Sequence, residues 1–230
     1  MNLHPFRLTL FVVFYTLASS TAFAHGIHGP DRDFIEASTG LAPAAFMYLG
    51  AKHMITGYDH LLYLAGVVFF LRNFRDVAKL VSLFALGHSI TLLFGVLANV
   101  NVNPYLVDAL IGFSVVYKAY ENLNTLNDKQ AALTASIPYA VFAFGLIHGF
   151  GLATKLQEFT ISKEGLVSNI ISFNIGVEIG QIIALAFILM AFNFCRRFAH
   201  FDKFSSITNW LIMIAGFTLI GFQLSGYFYA

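Results

Sequence analysis

The sequence predicts an all-α protein, a polytopic membrane helix bundle of about six transmembrane helices that follows a cleaved signal peptide. Of its 230 residues, 58% are hydrophobic and only 11% are charged, whereas a soluble domain carries about 25% charged residues. Several apolar stretches approach the roughly 20 residues that a helix needs to span a bilayer. The net charge of +1, with no basic stripe, argues against nucleic acid as a partner.

Residues 1–24 have the layout of a secretory signal peptide. Arg7 supplies the positive n-region, LTLFVVFYTLASS the apolar h-region, and Ala22-Phe23-Ala24 the cleavage site. Cleavage would leave His25 as a terminal residue that offers both an amine and a ring nitrogen to one metal ion. The alternative interpretation is an uncleaved first transmembrane helix.

The remaining chain divides into a lead-in and a membrane domain. Residues 25–56 are predicted to be a periplasmic lead-in, in which 41–56 form a helix at the outer surface or dipping into the membrane. Residues 57–230 are predicted to form the six-helix domain. Its spans are 57–71, 77–98, 104–121, 136–154, 166–194 and 206–228. No secure internal repeat is visible, because FALGH at 84–88 and FAFGLIH at 142–148 share too little.

The orientation follows from Lys and Arg in the loops, which are enriched on the cytoplasmic side. Starting the mature chain outside puts eight such residues in the cytoplasm and four outside. The eight are Arg72, Arg75, Lys79, Lys118, Lys129, Arg196, Arg197 and Lys203; the four are Arg32, Lys52, Lys155 and Lys163. The predicted location is therefore the bacterial inner membrane, with both termini on the periplasmic side.

Two histidines and an aspartate lie at the outer mouth of the first span. His53 and His60 are seven residues apart, so on an unbroken helix they would lie about 10 Å apart along its axis. One ion with ligands near 2.1 Å cannot join them across that gap. Either Gly57 breaks the helix, which we favour because glycine tolerates such a break, or the two rings bind the ion one after the other along an entry path. Asp59 is a candidate ligand or the acceptor that orients an imidazole.

Two further histidines lie within predicted spans. His88 is near the middle of span two, beside Ser89, and His148 lies in the middle to outer part of span four. A single membrane histidine can simply hydrogen-bond a neighbouring helix. With the outer residues, however, these side chains put imidazoles on separate helices, so we consider them candidate metal ligands.

Span five carries a polar stripe. Relative to Asn174, Glu178 lies at about 40° and Gln181 at about −20° on a helical wheel, whereas Gly176 and Gly180 lie on the opposite side. An isolated charge at mid-bilayer costs roughly 2.5–3.5 kcal/mol or more, so Glu178 is predicted to face a cation, a proton or a histidine. The amides could support the site or join helices. The glycines suit close packing, within the bundle or between subunits.

The chain resembles the HupE/UreJ family of membrane proteins, in its second, less characterised branch. The signature H-x5-D-H is present from His53 to His60, and the early histidines match His25 and His28. The segments GHSITL, GLIHGFGLA and FNIGVEIGQ, with His88, His148 and Glu178, stand where the family's usual second signature would be. The resemblance implies a role in nickel supply to hydrogenase or urease.

The preferred functional hypothesis is a permease for a divalent transition-metal ion, nickel first and cobalt second. The ion would be captured outside and passed inward along the predicted ligands His25, His28, His53, Asp59, His60, His88, His148 and Glu178, with Asn174, Gln181 and Ser89 in support. Imidazole also suits Zn²⁺ and Cu²⁺, and no tightly bound cofactor is expected. The partners are the lipid bilayer and the ion, with a second copy or metalloenzyme-maturation proteins as further candidates.

Two alternatives remain. An intramembrane zinc hydrolase would gather three histidines at one site with an open position, and Glu178 would act as its base. Convergence of His60, His88 and His148 within about 5 Å would favour this enzyme over a series of stations. The third hypothesis is a metal-sensing or assembly protein that passes no ion.

Overall fold

The computed structural model describes residues 30–38, 40–127, 137–157, 164–197 and 201–229, and this part of the chain contains helices and no strand. The predicted signal peptide and the candidate ligands His25 and His28 lie outside the described residues. The helices are α1 (Pro30–Ala37), α2 (Pro43–Thr56), α3 (Tyr58–Val68), α4 (Phe74–Leu97), α5 (Pro104–Asn127), α6 (Ile137–Leu156), α7 (Leu166–Cys195) and α8 (Phe201–Tyr229). The predicted all-α class is confirmed.

Four helices are long and apolar enough to cross a bilayer, namely α4, α6, α7 and α8. The predicted count of six spans is not reached by this measure. Helix α5 has 24 residues but carries Asp108, Lys118 and Glu121. Helix α3 has only 11 residues, which is about 16 Å and half the thickness of the hydrocarbon core.

An apolar stripe on α7 faces away from the bundle. Ile171, Ile175, Ile179 and Ile183 recur every fourth residue and are each exposed, between 42% and 48%. Exposed apolar stripes of this kind mark surfaces that contact lipid or a partner. Together with the four long apolar helices, this stripe indicates a multi-pass membrane protein.

The break predicted at Gly57 is confirmed. Helix α2 ends at Thr56 and α3 begins at Tyr58, with Gly57 in an extended conformation at φ −76° and ψ 93°. The Gly57 N–H donates to the His53 carbonyl at 2.8 Å, and the Gly57 carbonyl accepts from the Leu61 N–H at 3.1 Å. The backbone therefore keeps its hydrogen bonds through the break, which makes the interruption inexpensive.

The broken pair α2–α3 runs alongside α7 in the same direction. At its start, the Ala42 N–H donates to Asn169 Oδ1 at 2.9 Å. At its end, the Phe69 ring packs 4.7 Å from the Phe192 ring, and Arg196 donates to the Phe69 carbonyl. The helix that was predicted for 41–56 thus packs along the first half of α7, and α3 continues along the second half.

Glycines set the closest helix contacts. A Cβ at Gly50 or at Gly176 would overlap the backbone carbonyls of Phe173 and Met47, respectively, so α2 and α7 touch backbone to backbone. Helices α4 and α6 meet in the same way, and in both pairs the helices run parallel. The glycine face predicted for α7 is therefore used inside this chain.

Alanine at Gly176 is expected to destabilise the protein, because its Cβ would overlap the Met47 carbonyl. Overpacking of this kind costs about 1–3 kcal/mol, which corresponds to a melting temperature roughly 2–10 °C lower for a chain of this length. The matched control is Gly221→Ala, since a Cβ at Gly221 has nothing within 4 Å and alanine is the better helix former. Thermal unfolding in detergent should show a lower melting temperature only for Gly176→Ala; equal values for both variants would contradict the packing.

Candidate metal centre

Four helices each bring one histidine to the middle of the bundle. His53 lies in the last turn of α2, His60 in the first turn of α3, His88 near the centre of α4 and His148 in α6. All four side chains are buried, and His60, His88 and His148 are 0% exposed. Burial of so many polar rings is costly unless they find partners, so the cluster needs a purpose beyond packing.

The rings lie close enough to share one ion. One ring nitrogen from each of His53, His60 and His88 lies within 4.8 Å of the others. His60 is central, because its ring centroid is 5.3 Å from that of His53, 6.0 Å from His88 and 4.7 Å from His148. Ligands at about 2.1 Å from one metal ion lie at most about 4.2 Å apart, so small ring rotations would complete the coordination.

The break at Gly57 is what brings His53 and His60 together. The two residues would be about 10 Å apart along a continuous helix, whereas their ring centroids are 5.3 Å apart here. Gly57 itself has little spare room, since a Cβ would lie 3.0 Å from the His53 carbonyl oxygen and 3.1 Å from His60 Nδ1. The glycine therefore serves both the break and the close approach of the rings.

Hydrogen bonds orient two of the imidazoles. His60 Nδ1 lies 2.9 Å from Asp59 Oδ1, and His148 Nδ1 lies 3.0 Å from the Phe144 carbonyl oxygen. Since each acceptor is an oxygen, Nδ1 carries the proton in both rings and the lone pair is on Nε2. This arrangement of carboxylate or carbonyl, histidine and metal is typical of metal sites, which makes Asp59 an orienting group.

Other ring nitrogens have no hydrogen-bond partner among the described residues. They are His53 Nε2, both nitrogens of His88, and His148 Nε2. An unsatisfied buried polar atom costs about 1–3 kcal/mol, and a metal ion would satisfy several at once. The donor set fits a divalent transition metal, because imidazole binds Ni²⁺, Co²⁺, Zn²⁺ and Cu²⁺.

The remaining predicted residues fall at different places. Asn174 on α7 lies beside His88. Ser89, the residue after His88 on α4, is half-buried. Gln181 is fully buried, and its amide atoms have no partner within the described part of the chain. Glu178 is half-buried, and Ser82 Oγ on α4 donates to its Oε1 at 3.1 Å; among the described residues, its carboxylate is not part of the convergent group of His53, His60 and His88.

The structure places the histidines in one cluster instead of at successive depths. The hypothesis of separate stations is therefore not what the geometry shows for His53, His60, His88 and His148. The reason is the parallel pairing of α4 with α6, in which Gly149 lies against the His88 carbonyl. This contact puts His88 and His148 at the same level of the bundle.

Residues 30–230 match a family model described as HupE / UreJ protein. The chain belongs to the HupE/UreJ family. No curated protein and no solved structure gives a significant match. In this HupE/UreJ protein, the H-x5-D-H segment provides two of the clustered imidazoles and the carboxylate that orients one of them, whereas His88 and His148 come from α4 and α6.

The sequence did not reveal an aromatic shell around the histidine cluster of this HupE/UreJ protein. Phe173 lies 5.8 Å from His53, and Phe84 lies 5.0 Å from His148, between ring centroids. Tyr63 packs 5.6 Å from His148. Phenylalanine is abundant on every span, so composition held no signal for these positions. Tyr63 and Phe84 each had one, because Tyr63 lies three residues after His60 and Phe84 four residues before His88, on the same helix face in each case.

Sequence reasoning also missed a buried ion pair near the site. Lys155 Nζ on α6 lies 2.8 Å from Asp108 Oδ2 on α5, with side chains 16% and 5% exposed. The sequence signal was Asp108 near the start of the predicted span 104–121. Because both charges lie inside the bundle, each depends on the other for compensation.

Proposed function

We propose that this HupE/UreJ protein is a membrane permease for a divalent transition-metal ion, with nickel as the first candidate and cobalt as the second. The observation that carries the proposal is the buried set of His53, His60 and His88, whose ring nitrogens lie within 4.8 Å of one another. His148, against His60, supplies a fourth imidazole. Cu⁺ fits less well, since the lone cysteine, Cys195, is at the end of α7 and soft ions prefer thiolates.

The position of the site supports transport. In many transporters the substrate binds near the middle of the membrane, where a helix is interrupted. Here the interruption at Gly57 lies between two of the imidazoles. If α2 and α3 count as one broken crossing, the chain passes the membrane six times, which agrees with the lysine and arginine distribution. His25 and His28 would then deliver the ion from the periplasmic side, and maturation proteins would receive it.

One observation favours the second candidate, an intramembrane zinc hydrolase. His60, His88 and His148 meet at one place, and three histidines with a free coordination position are the ligand set of several zinc enzymes. A hydrolase also needs a base beside the metal-bound water. Asp59 is hydrogen-bonded to His60, and Glu178 to Ser82, so both carboxylates are already engaged. The permease hypothesis is therefore preferred.

Metal uptake into proteoliposomes tests the proposal. Wild-type protein is expected to carry Ni²⁺ and Co²⁺ in a saturable manner, whereas His60→Ala removes the central ligand and should lower the flux at least about tenfold. Glu178→Gln is expected to lose less, since that carboxylate bonds to Ser82 and is not part of the convergent ligand group. His200→Ala is the histidine control, because the sequence gives His200 no role.

Three outcomes separate the candidates. Equal fluxes for wild type and His60→Ala would reject the permease. Stoichiometric metal binding without flux would favour a sensor or assembly protein. Release of product from ester or peptide substrates by the zinc-loaded protein, lost in His60→Ala, would favour the hydrolase.

A further inference from the structure

Two helix pairs of the bundle use equivalent backbone contacts. In α2–α7, Gly50 lies against the Phe173 carbonyl, and in α4–α6, Gly145 lies against the Phe84 carbonyl. Gly145 follows Gly50 by 95 residues, and Phe84 precedes Phe173 by 89 residues. Helix α6 thus corresponds to α2, and α4 corresponds to α7.

Two more pairs of contacts are related by the same differences in residue number, 95 between α2 and α6 and 89 between α4 and α7. Gly176 lies against the Met47 carbonyl in α2–α7, and its counterpart Gly87 lies against the Phe142 carbonyl in α4–α6. Gly180 lies against the Ala51 carbonyl, and its counterpart Thr91 donates from Oγ1 to the Leu146 carbonyl at 2.7 Å. Three equivalent contacts between residues more than 50 positions apart define a structural repeat. It escaped the sequence because the two copies share few identical residues, among them Pro43 with Pro138.

The two pairs run in opposite directions. A small cavity is lined by Phe46 and Ile170, near the starts of α2 and α7, and by Leu92 and Leu156, near the ends of α4 and α6. Both helices of one pair therefore begin where both helices of the other pair end. The repeat is inverted, as in transporters whose halves are related by an axis in the membrane plane.

One copy is therefore α2–α3, α4 and α5, and the other is α6, α7 and α8. The third helices of the two copies, α5 and α8, meet reciprocally. A Cβ at Gly112 would lie 3.2 Å from the Gly216 carbonyl oxygen, and a Cβ at Gly216 would lie 3.1 Å from the Gly112 carbonyl oxygen. A contact in which each side uses the same surface is the mark of a twofold relation. The axis therefore passes between α5 and α8.

Residues of the metal centre are related by the same differences in residue number. His148 follows His53 by 95 residues, and the contact of His53 with Phe173 becomes the contact of His148 with Phe84. The correspondence between α2 and α6 ends at Gly57, because α2 stops just before this residue whereas α6 continues without a break through the matching position. Phe173 lines the cavity at the start of α2, and inversion puts Phe84 on the opposite side of the rings.

We infer that the protein consists of two inverted copies of a three-helix unit, and that Phe173 and Phe84 are equivalent gates that close the metal centre toward opposite membrane faces. The inference deepens the proposed permease function and relies on it for the identity of the ion. Backbone-packed pairs such as α2–α7 and α4–α6 resist internal rearrangement. Each pair therefore moves as a unit against the other. Rocking separates either Phe173 from Leu92 and Leu156, which line the cavity with it, or Phe84 from His60 and Tyr63 on α3, so one gate opens while the other stays closed.

Thiol accessibility tests the gates without any metal. Cys195→Ser removes the native thiol, and His53→Cys or His148→Cys then introduces one thiol at each of the two equivalent positions. A membrane-impermeant cationic methanethiosulfonate is applied to right-side-out or inverted vesicles, and the rate of thiol modification is measured. Phe173→Ala is expected to speed modification of the His53→Cys thiol at least tenfold only from the face where α2 begins. Phe84→Ala should do the same for the His148→Cys thiol only from the opposite face.

Phe144→Ala is the matched control. Phe144 packs on Tyr63 and Tyr117 and has no ring contact with a histidine among the described residues. It should change neither rate by more than about twofold, and Phe→Leu at each gate, which keeps most of the bulk, should give smaller increases than Phe→Ala. Acceleration from the same face by both gate variants, or by neither in monodisperse protein, would overturn the inference.

The result is separable from the proposed function. Sided acceleration without any metal flux in wild-type proteoliposomes would leave the gates standing and reject the permease. Saturable Ni²⁺ flux without sided acceleration would leave the permease standing and reject the gates. With both in place, the Phe84→Ala/Phe173→Ala double variant is expected to leak Ni²⁺ without saturation.

Discussion

The wild-type protein is expected to melt roughly 5–10 °C higher with Ni²⁺ at a hundredfold excess over its dissociation constant, because binding only the folded state adds about 2.7 kcal/mol. The His88→Leu variant is expected to lack this shift. His88 contributes one of three convergent ring nitrogens. Metal sites with four ligands bind with about 10–16 kcal/mol, so one ligand is worth about 3 kcal/mol, or roughly a hundredfold in affinity.

Leucine at position 88 also tests the fold of the metal-free protein. Neither ring nitrogen of His88 has a hydrogen bond of good geometry among the described residues, and only the Asn174 side chain lies beside the ring, so leucine removes two poorly satisfied polar atoms while it keeps a similar volume. The metal-free variant should therefore melt at the wild-type temperature or above. Titration calorimetry and thermal unfolding in detergent provide the two measurements, with His200→Ala as the histidine control.

A nickel-dependent shift that survives His88→Leu in full would contradict the assignment of this ring as a ligand. A lower melting temperature of the metal-free variant would instead show that the imidazole stabilises the fold. The two readouts are independent, so loss of binding cannot be mistaken for loss of structure.

Replacing Lys155 with methionine is expected to destabilise the protein by about 3–5 kcal/mol. The change leaves the Asp108 carboxylate buried without its counterion, and breaking a buried pair by removing one partner has this cost. For a chain of this length the melting temperature should fall by roughly 6–20 °C. Because Lys155 is 16% exposed, the lower part of each range is the better expectation.

The double variant Asp108→Asn/Lys155→Met should recover most of the lost stability, since no uncompensated charge remains. Lys203→Met is the matched control, because Lys203 is exposed in the first turn of α8 and its loss should cost little. Thermal unfolding of the four proteins in one detergent gives the double-mutant cycle. Equal melting temperatures for Lys155→Met and Lys203→Met would show that the buried pair contributes nothing.

Local features of this HupE/UreJ protein could be predicted from the sequence. The predicted starts or ends of the last five spans lie within a few residues of α4 to α8, because runs of apolar residues and prolines are local signals. The break at Gly57 was predicted from the distance between His53 and His60. That distance left a break and successive stations as alternatives, and the structure has the break, which brings the two rings together.

Other features depended on which helices become neighbours. The helical wheel put Asn174, Glu178 and Gln181 on one face of α7, but a face does not name its partner. Glu178, about 40° from Asn174, meets Ser82 on α4, whereas Asn174 lies beside His88. The helix predicted within 57–71 is α3, but the sequence did not show that α2 precedes it along α7.

By itself, the sequence determined the class of protein, the positions of its helices, the interruption at Gly57 and the residues capable of binding a metal. Only the tertiary structure decided that four histidines from four helices meet in one centre, and that the two glycine-packed pairs are related to each other by inversion. The physical reason is that these relations come from backbone contacts at glycines such as Gly50 and Gly145. Such contacts join residues far apart in the chain, and their signal is divided between two helices.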